Sequence, residues 1–580
     1  MDVTSLTAGG SFLVTIPTSL DVCTPEDLSE EHRLAARTLR AFLDAEVEPR
    51  TAELETQSFS LVRELLRKLG ALGFLGVDIP EAYGGTGLDF ITSLLVAETM
   101  SRGSFAVSVG AHTVIGTLPI VYFGTEEQKR RYLPGLASGD LVGAYALTEP
   151  TAGSDALGAR ARAVRTTDGR DYLLTGTKQF ITNAGFADVF TTYAKVDGER
   201  FTSFIVDRQT EGLVIGPEEH KMGIKGSSTA SLFFDNARVP ASNMLGEDGG
   251  GHRVALNILN IGRLKLGTSC LGAAKHAVRQ AVAYAKERQQ FGRAIASFGL
   301  VQQKLAQMAV RVYLLESVIY RAGGLIQAAR QVLDTPAGAV EEYAIECAIG
   351  KVYGSEVSGF VMDELVQIFG GYGFIEDYPA ARAYRDARIS RIYEGTNEIN
   401  RLLITSMLLR RGQRGRLPLT AALRDAVEKA RNAPTPSGDG PLADERRQVE
   451  MAKTACLLAA AAAVQAYGEV LQEPQEIPAW IADLVIDIFA MESGLLRTLR
   501  ALDHGRLVDA KVDLLRAGID RGLSRVDAVC RQILAATLEG DELRARLAAV
   551  RRLLPEARPG AIPLRQRIAG RLLDAGAYVT

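Results

Sequence analysis

The sequence changes its hydrophobic period twice, and those changes leave few ways for the chain to fold. Between residues 141 and 245, short segments alternate apolar and polar positions, at 171–174, 189–196, 201–206 and 231–239. Asp168-Gly169 and Asp197-Gly198 separate them as hairpin turns. On both sides the spacing is helical. Before the strands, Thr24-Pro25-Glu26-Asp27 signals the start of a helical region, and apolar periodicity follows at 35–43 and 61–72. After them, Gly249-Gly250-Gly251 ends the alternation. Val301, Leu305, Met308, Val312, Leu315 and Ile319 then form one helical stripe. With helices over 252–287 and 338–369 and another after Glu394, this stripe predicts a four-helix bundle.

The expected fold class is therefore α+β. It comprises a helical domain over 1–140, a compact antiparallel β barrel or sandwich over 141–248, the bundle over 249–412 and an additional helical domain over 442–580. Residues 413–441, with Pro434-Thr435-Pro436-Ser437-Gly438, read as a linker. A chain of 580 residues needs several cores. Its net charge of −3 carries no signature of nucleic-acid binding, and no nucleic-acid partner is expected. Cys23, Cys270, Cys347, Cys456 and Cys530 are scattered, which fits a reducing compartment; the histidines show no ligand spacing, so no metal is expected. The first residues lack signal-peptide or transit features, and the longest apolar run, 457–464, is short and mostly alanine. A cytoplasmic protein is expected.

One stretch concentrates chemistry. From Asp386 to Arg401 the chain reads DARISRIYEGTNEINR, with Glu394 just before a helix that Thr396 or Asn397 can cap. A carboxylate at such a junction can be aimed into a cleft, or can simply be an acid near a helix N-terminus. Residues 147–155 concentrate hydroxyls and backbone donors suited to a polar planar ligand. Gly370-Gly371-Tyr372-Gly373-Phe374 follows a helix, so it is not a Rossmann fingerprint. Arg288 closes a long helix with a guanidinium suited to phosphate. Between Arg544 and Arg571, eight arginines accompany one acid, Glu556, while Leu543, Leu547, Val550 and Leu554 could form the apolar face of a basic helix. A solvated face, an acidic subunit surface and peripheral membrane contact through this C-terminal domain all accommodate that pattern.

In their joint order, residues 145–155, 178–183, 221–229, 288–292, 367–373 and 392–397 resemble the acyl-CoA dehydrogenase family. The resemblance covers about residues 30–410. It is strongest to long-chain bacterial members and the very-long-chain mitochondrial type, which carry an extra C-terminal helical domain. It implies FAD as cofactor, an acyl-CoA substrate, an electron-transferring flavoprotein as partner, and at least a homodimer.

Position by position, the resemblance implies that Tyr145, Leu147, Thr148 and Ser154 lie along the flavin, with Thr182 near its N5 and Phe180 where most relatives have tryptophan. Arg288 and Phe291 would contact the pyrophosphate and adenosine part. Gln367, Gly370 and Gly371 would reach it from a neighbouring subunit, and Thr396 and Glu398 would sit by the ADP part. Glu394 would be the catalytic base, its own amide and a ribityl hydroxyl holding the thioester oxygen. Some relatives place the base at the position of Gly262, which has no carboxylate here. Ser154, Arg263, Tyr393 and Gly395 would touch substrate, and Ser108, Gly110 and Ala111 would line the far end of the acyl pocket. The helix N-terminus should lower the pKa of Glu394, with desolvation by bound substrate raising it. The implied function is α,β-dehydrogenation of long-chain acyl-CoA in fatty-acid β-oxidation. An acyl-CoA oxidase and a non-catalytic nucleic-acid-binding member of the same fold are the alternatives.

Overall fold

In the computed structural model, residues 6–15, 22–431, 440–505, 508–554 and 559–580 are described. The N-terminal helices include α1 (Glu30–Phe42), α2 (Phe59–Ala71), α3 (Phe90–Met100), α4 (Gly103–Gly110) and α5 (Glu126–Ser138). Each start has a local cause: Ser29 and His32 form a capping box on α1, Asp89 accepts the Thr92 amide on α3, and Thr125 pairs with Gln128 on α5. The Thr24 signal is a capping box too, but it closes only one 3₁₀ turn, Pro25–Asp27. The helix proper starts at Glu30, because Ser29 supplies a second cap.

The central sheet has eight strands: β1 (Gly143–Ala146), β2 (Arg162–Arg165), β3 (Asp171–Thr182), β4 (Val189–Val196), β5 (Arg200–Asp207), β6 (Leu213–Glu218), β7 (Thr229–Pro240) and β8 (Met244–Leu245). Its main path runs β6-β7-β3-β2-β4-β5-β8, with β1 on β4. Both predicted hairpins form, and Asp197 and Gly198 each take positive φ, as a tight hairpin turn requires. The wholly antiparallel expectation needs correction: β1 and β2 each pair with β4 in parallel. Alternation reveals that a strand exists, whereas its direction is set by which neighbour the chain returns to.

The bundle is α6 (Gly251–Glu287), α7 (Gly299–Arg330), α8 (Ala344–Phe369) and α9 (Asn397–Gln413). A separate helical turn, Pro336–Glu342, ends at Tyr343, so the predicted helix over 338–369 is broken there. The presumed linker contains a helix, α10 (Leu419–Lys429), whereas its Pro434–Gly438 stretch lies outside the described residues. Beyond it, α11 (Ala443–Tyr467), α12 (Glu476–Asp503), α13 (Asp509–Thr537), α14 (Gly540–Leu553) and α15 (Ala561–Ala575) form the last domain. Helices α12, α13 and α15 pack on α7, which joins this domain to the bundle.

The basic segment is therefore two helices. Its apolar face is covered: Val550 and Leu554 are buried, and Leu543 and Leu547 pack on the same core. Arg567 and Arg571 both pair with Asp513 on α13. The face that membrane contact would need is spent inside the protein. Residues 103–123 and 443–470 are long and apolar enough to cross a bilayer, contrary to the sequence reading, yet 67% of each apolar window is buried in the fold.

Candidate active site

Glu394 stands where the chain enters α9. Thr396 is the N-cap, its hydroxyl accepting the Ile399 amide at 3.3 Å. Glu394 and Gly395 both adopt left-handed φ, +57° and +80°. For a glutamate that conformation costs energy and persists only where neighbours hold it. Three helices do so. From α6, Arg263 Nε donates to the Glu394 carbonyl at 3.3 Å; from α8, Lys351 Nζ donates to the Gly395 carbonyl and to Asn397 Oδ1, both at 2.7 Å. Asn400 of α9 itself donates to the carbonyls of Gly395 and Thr396.

The carboxylate points at α6. Its Oε2 is buried with no hydrogen-bond partner among the described residues. A Cβ built on Gly262 would lie 2.7 Å from that oxygen, so the glycine makes the space that Glu394 fills. Burial pushes the Glu394 carboxyl up to about 7, against the opposing pull of Arg263 and Lys351. The expectation that the helix end depresses it is thereby corrected: packing by the protein itself already raises it.

Glu394, Gly262 and Tyr393 wall a cavity of ≈ 170 Å³, otherwise lined largely by apolar side chains such as Phe74, Val96, Met100 and Val109. Gly110 and Ala111 line it as expected, and a Cβ on Gly110 would meet nothing within 4 Å. Ser108 is not on the wall; its carbonyl accepts the side-chain amide of Asn183 instead. Thr182, the last residue of β3, lines the same cavity and joins the sheet to the base.

The sheet side is held by a pair the sequence reading missed. Lys178 Nζ is fully buried, 2.7 Å from Glu149 Oε1, and also donates to the Leu147 carbonyl. Glu149 in turn accepts the amides of Arg160 and Ala161. Thr148 is tied to β3 through the Gln179 amide, Tyr145 is buried edge-on against Tyr193, and Ser154 is exposed on the following loop. Period-two alternation from Tyr172 would turn Phe180 inward with Lys178. A bulge between Lys178 and Ile181 turns it outward, at φ +59° and 57% exposed. An outward aromatic face beside Thr182, with the Thr148 carbonyl bonded to the adjoining Gln179 amide, fits a planar, polar-edged ring such as a flavin.

A second group lies elsewhere. Arg288 ends α6, roughly 39 Å beyond Gly262 on the same helix at 1.5 Å per residue. Beside it are Tyr372, under its guanidinium at 5.4 Å, and Phe291, 93% exposed. Tyr284 donates to the Phe369 carbonyl, which places exposed Gln367, Gly370 and Gly371 at this end. Arg288 and Phe291 thus lie at the same end of the bundle as the glycine-rich turn, away from their own chain's Glu394. Arg263 is buried and binds the Glu394 loop and Asn260. Glu398 is exposed at the start of α9. Lys351 had a signal, as a lone cation within the apolar run 347–353.

Models of the acyl-CoA dehydrogenase N-terminal, middle and C-terminal domains match residues 29–140, 144–237 and 249–409, and a further acyl-CoA dehydrogenase C-terminal domain matches 451–552. A protein of Bacillus subtilis (strain 168) named "Probable acyl-CoA dehydrogenase" is 46% identical over 98% of both chains. The very long-chain specific mitochondrial enzyme of Homo sapiens is 42% identical over 58% of this chain and 52% of its own. A crystal structure of acyl-CoA dehydrogenase complexed with FAD from Bacillus anthracis superposes with a TM-score of 0.97 at 46% identity, covering 99% of this chain and 100% of that one. A buried carboxylate facing an apolar cavity, an outward aromatic ring at the end of β3 and likeness along the whole length place this chain in the acyl-CoA dehydrogenase family of FAD-dependent oxidoreductases.

Proposed function

We propose that the chain oxidises long-chain acyl-CoA thioesters to trans-2-enoyl-CoA in cytoplasmic β-oxidation, as a homodimer that passes electrons to an electron-transferring flavoprotein. The observation that carries this reading is Glu394: one unpartnered carboxylate oxygen, raised toward neutrality, at the wall of an apolar cavity. Its part is to take the α-proton, while Arg263, Lys351 and Asn400 hold its loop in the left-handed turn. FAD, held along Tyr145, Leu147, Thr148, Ser154, Phe180 and Thr182, supplies the acceptor for the β-hydride. The separation of Arg288, Phe291, Gln367, Gly370 and Gly371 from their own chain's Glu394 supports a second subunit that brings them to the flavin. The apolar cavity with its open Gly110 wall supports a long acyl chain.

Anaerobic bleaching of the flavin by saturated acyl-CoAs of increasing length tests the proposal. Bleaching should rise toward the longer chains and should not be followed by rapid reoxidation in air; peroxide release during turnover would instead favour an oxidase. The pH dependence has a definite sign. Only ionised Glu394 accepts a proton, so the bleaching rate should climb about tenfold per pH unit below about 7 and level off above it. A rate flat from pH 5.5 to 8 would separate Glu394 from the chemistry.

Lys351 gives a further expectation. Replacing it with methionine removes the charged donor from the Gly395 carbonyl, which keeps Asn400, and from Asn397 Oδ1, which keeps Ser355. At roughly 1.5–3 kcal/mol for the loss of hydrogen bonds from a charged donor, turnover should fall about 10- to 100-fold with FAD retained. Stopped-flow flavin reduction, with absorbance to confirm bound FAD, measures it.

A further inference from the structure

The apolar cavity beside Glu394 contains one charged interruption. Lys265 Nζ lies 2.6 Å from Asp78 Oδ2, and the Ser93 hydroxyl donates to the same oxygen at 2.6 Å. All three residues line the cavity, and the side chains of Lys265 and Asp78 are each only 7% exposed. Lys265 follows Gly262 by one helical turn, so it stands about 4.5 Å further along α6 than the wall of the base.

A pocket meant only for methylene groups gains nothing from such a pair, since apolar side chains of similar volume are often as stable as a buried ion pair. Among the other hydroxyls on this wall, Thr113 donates to the Val109 carbonyl and Ser269 faces the Ala97 carbonyl, while Thr182 and Tyr393 also line it. Lys265 differs. Its ammonium carries three donors, and among the described residues its one hydrogen-bond acceptor is Asp78. A methylene segment lying against it leaves the spare donors unanswered. Because Asp78 balances the charge, a carboxylate on the chain would be repelled by Asp78 and an amine by Lys265. A neutral oxygen suits the site best.

We propose that Lys265, held by Asp78 and Ser93, is a specificity-determining group that accepts acyl-CoA chains bearing a hydroxyl group beyond the reacting carbons. The hydroxyl oxygen takes a hydrogen bond from the Lys265 ammonium while the remaining wall receives the alkyl segments. This rests on the cavity being the acyl site of the proposed dehydrogenation.

The test compares kcat/KM on the FAD-loaded wild-type enzyme for unsubstituted long-chain acyl-CoAs and for the same chains with a single hydroxyl stepped along the whole chain beyond the reacting carbons. At one hydroxyl position kcat/KM should exceed that of the parent chain by about tenfold, the worth of one hydrogen bond to a charged donor. In the D78L/K265M double variant that ratio should fall to about one, whatever the absolute activity. A wild-type scan in which no hydroxyl position outperforms the parent chain overturns the inference, as does a ratio that persists in the double variant. Should the double variant fail to fold, the wild-type scan decides alone. Parent chains that bleach the flavin without any hydroxyl preference leave the dehydrogenase reading standing, whereas no bleaching by any acyl-CoA sinks that reading itself.

Discussion

Glu394→Gln should keep its FAD and lose about 10²–10⁴-fold in the rate of flavin reduction by acyl-CoA, the usual span for removal of a general base. The substitution is nearly isosteric, so the carboxamide fits the space that Gly262 leaves beside Oε2. The loop is held through main-chain carbonyls of residues 394–396, which the variant keeps. Loss of rate therefore reports chemistry and not collapse of the turn. The pH profile supplies an internal check: the rise through about pH 7 should vanish with the carboxyl that titrates there. Anaerobic stopped-flow spectroscopy of variant and wild type, each with its flavin content measured, gives both quantities. Near-normal reduction in the variant would remove Glu394 from the role of base.

Gly262 extends the same logic to its neighbours. Read from the sequence, it was merely a place without a carboxylate; in the fold it is the floor against which the base rests. This difference shows what a sequence of this kind exposes. The helical and strand periods, the two Asp-Gly hairpins and the base before its cap were legible because each depends on residues a few positions apart. Strand direction was not, since β1 and β2 run parallel to a β4 reached only after long excursions. Phe180 was legible as an aromatic group, but its exposure depends on a bulge that flips the alternation. The supports of Glu394 were hidden for the same reason. Arg263, Lys351 and Asn400 come from three helices, and nothing local in the sequence says that they converge. The clustering of Arg288 with Gly370 needed the length and packing of α6 and α8, which place both at one end of the bundle.

The C-terminal domain carries the second large expectation. Arg497 on α12 is almost completely buried, donating to Glu26 near the N-terminus and, at 2.7 Å, to Glu316 on α7, with its guanidinium 4.7 Å from the Tyr313 ring. Glu316 also pairs with Lys275 of α6 and accepts from Tyr578. One guanidinium thus clasps the chain's beginning, the bundle and the added domain. Burial alone would raise both carboxyls. The cations outweigh it, Arg497 first in each case, and hold Glu26 and Glu316 below the ordinary 4.5. Arg497→Met preserves bulk but strands two carboxylates beside fewer cations, which should destabilise the domain by about 3–5 kcal/mol. The sign with pH follows from the depressed values: the stability these acids contribute is complete above about 4.5 and is lost as pH falls through their lower folded values. The gap between variant and wild type should accordingly be widest near neutrality, narrow as pH falls below about 4.5, and close only toward about 2, where Glu316 is protonated in the wild type as well. Trp480, the only tryptophan, shares α12 with Arg497 and reports unfolding of this domain by fluorescence, while flavin emission follows the site. Urea titrations of the FAD-loaded proteins across that pH range should show the tryptophan transition moving first; a gap independent of pH would mean that packing of the side chain, and not its charge, holds the domain in place.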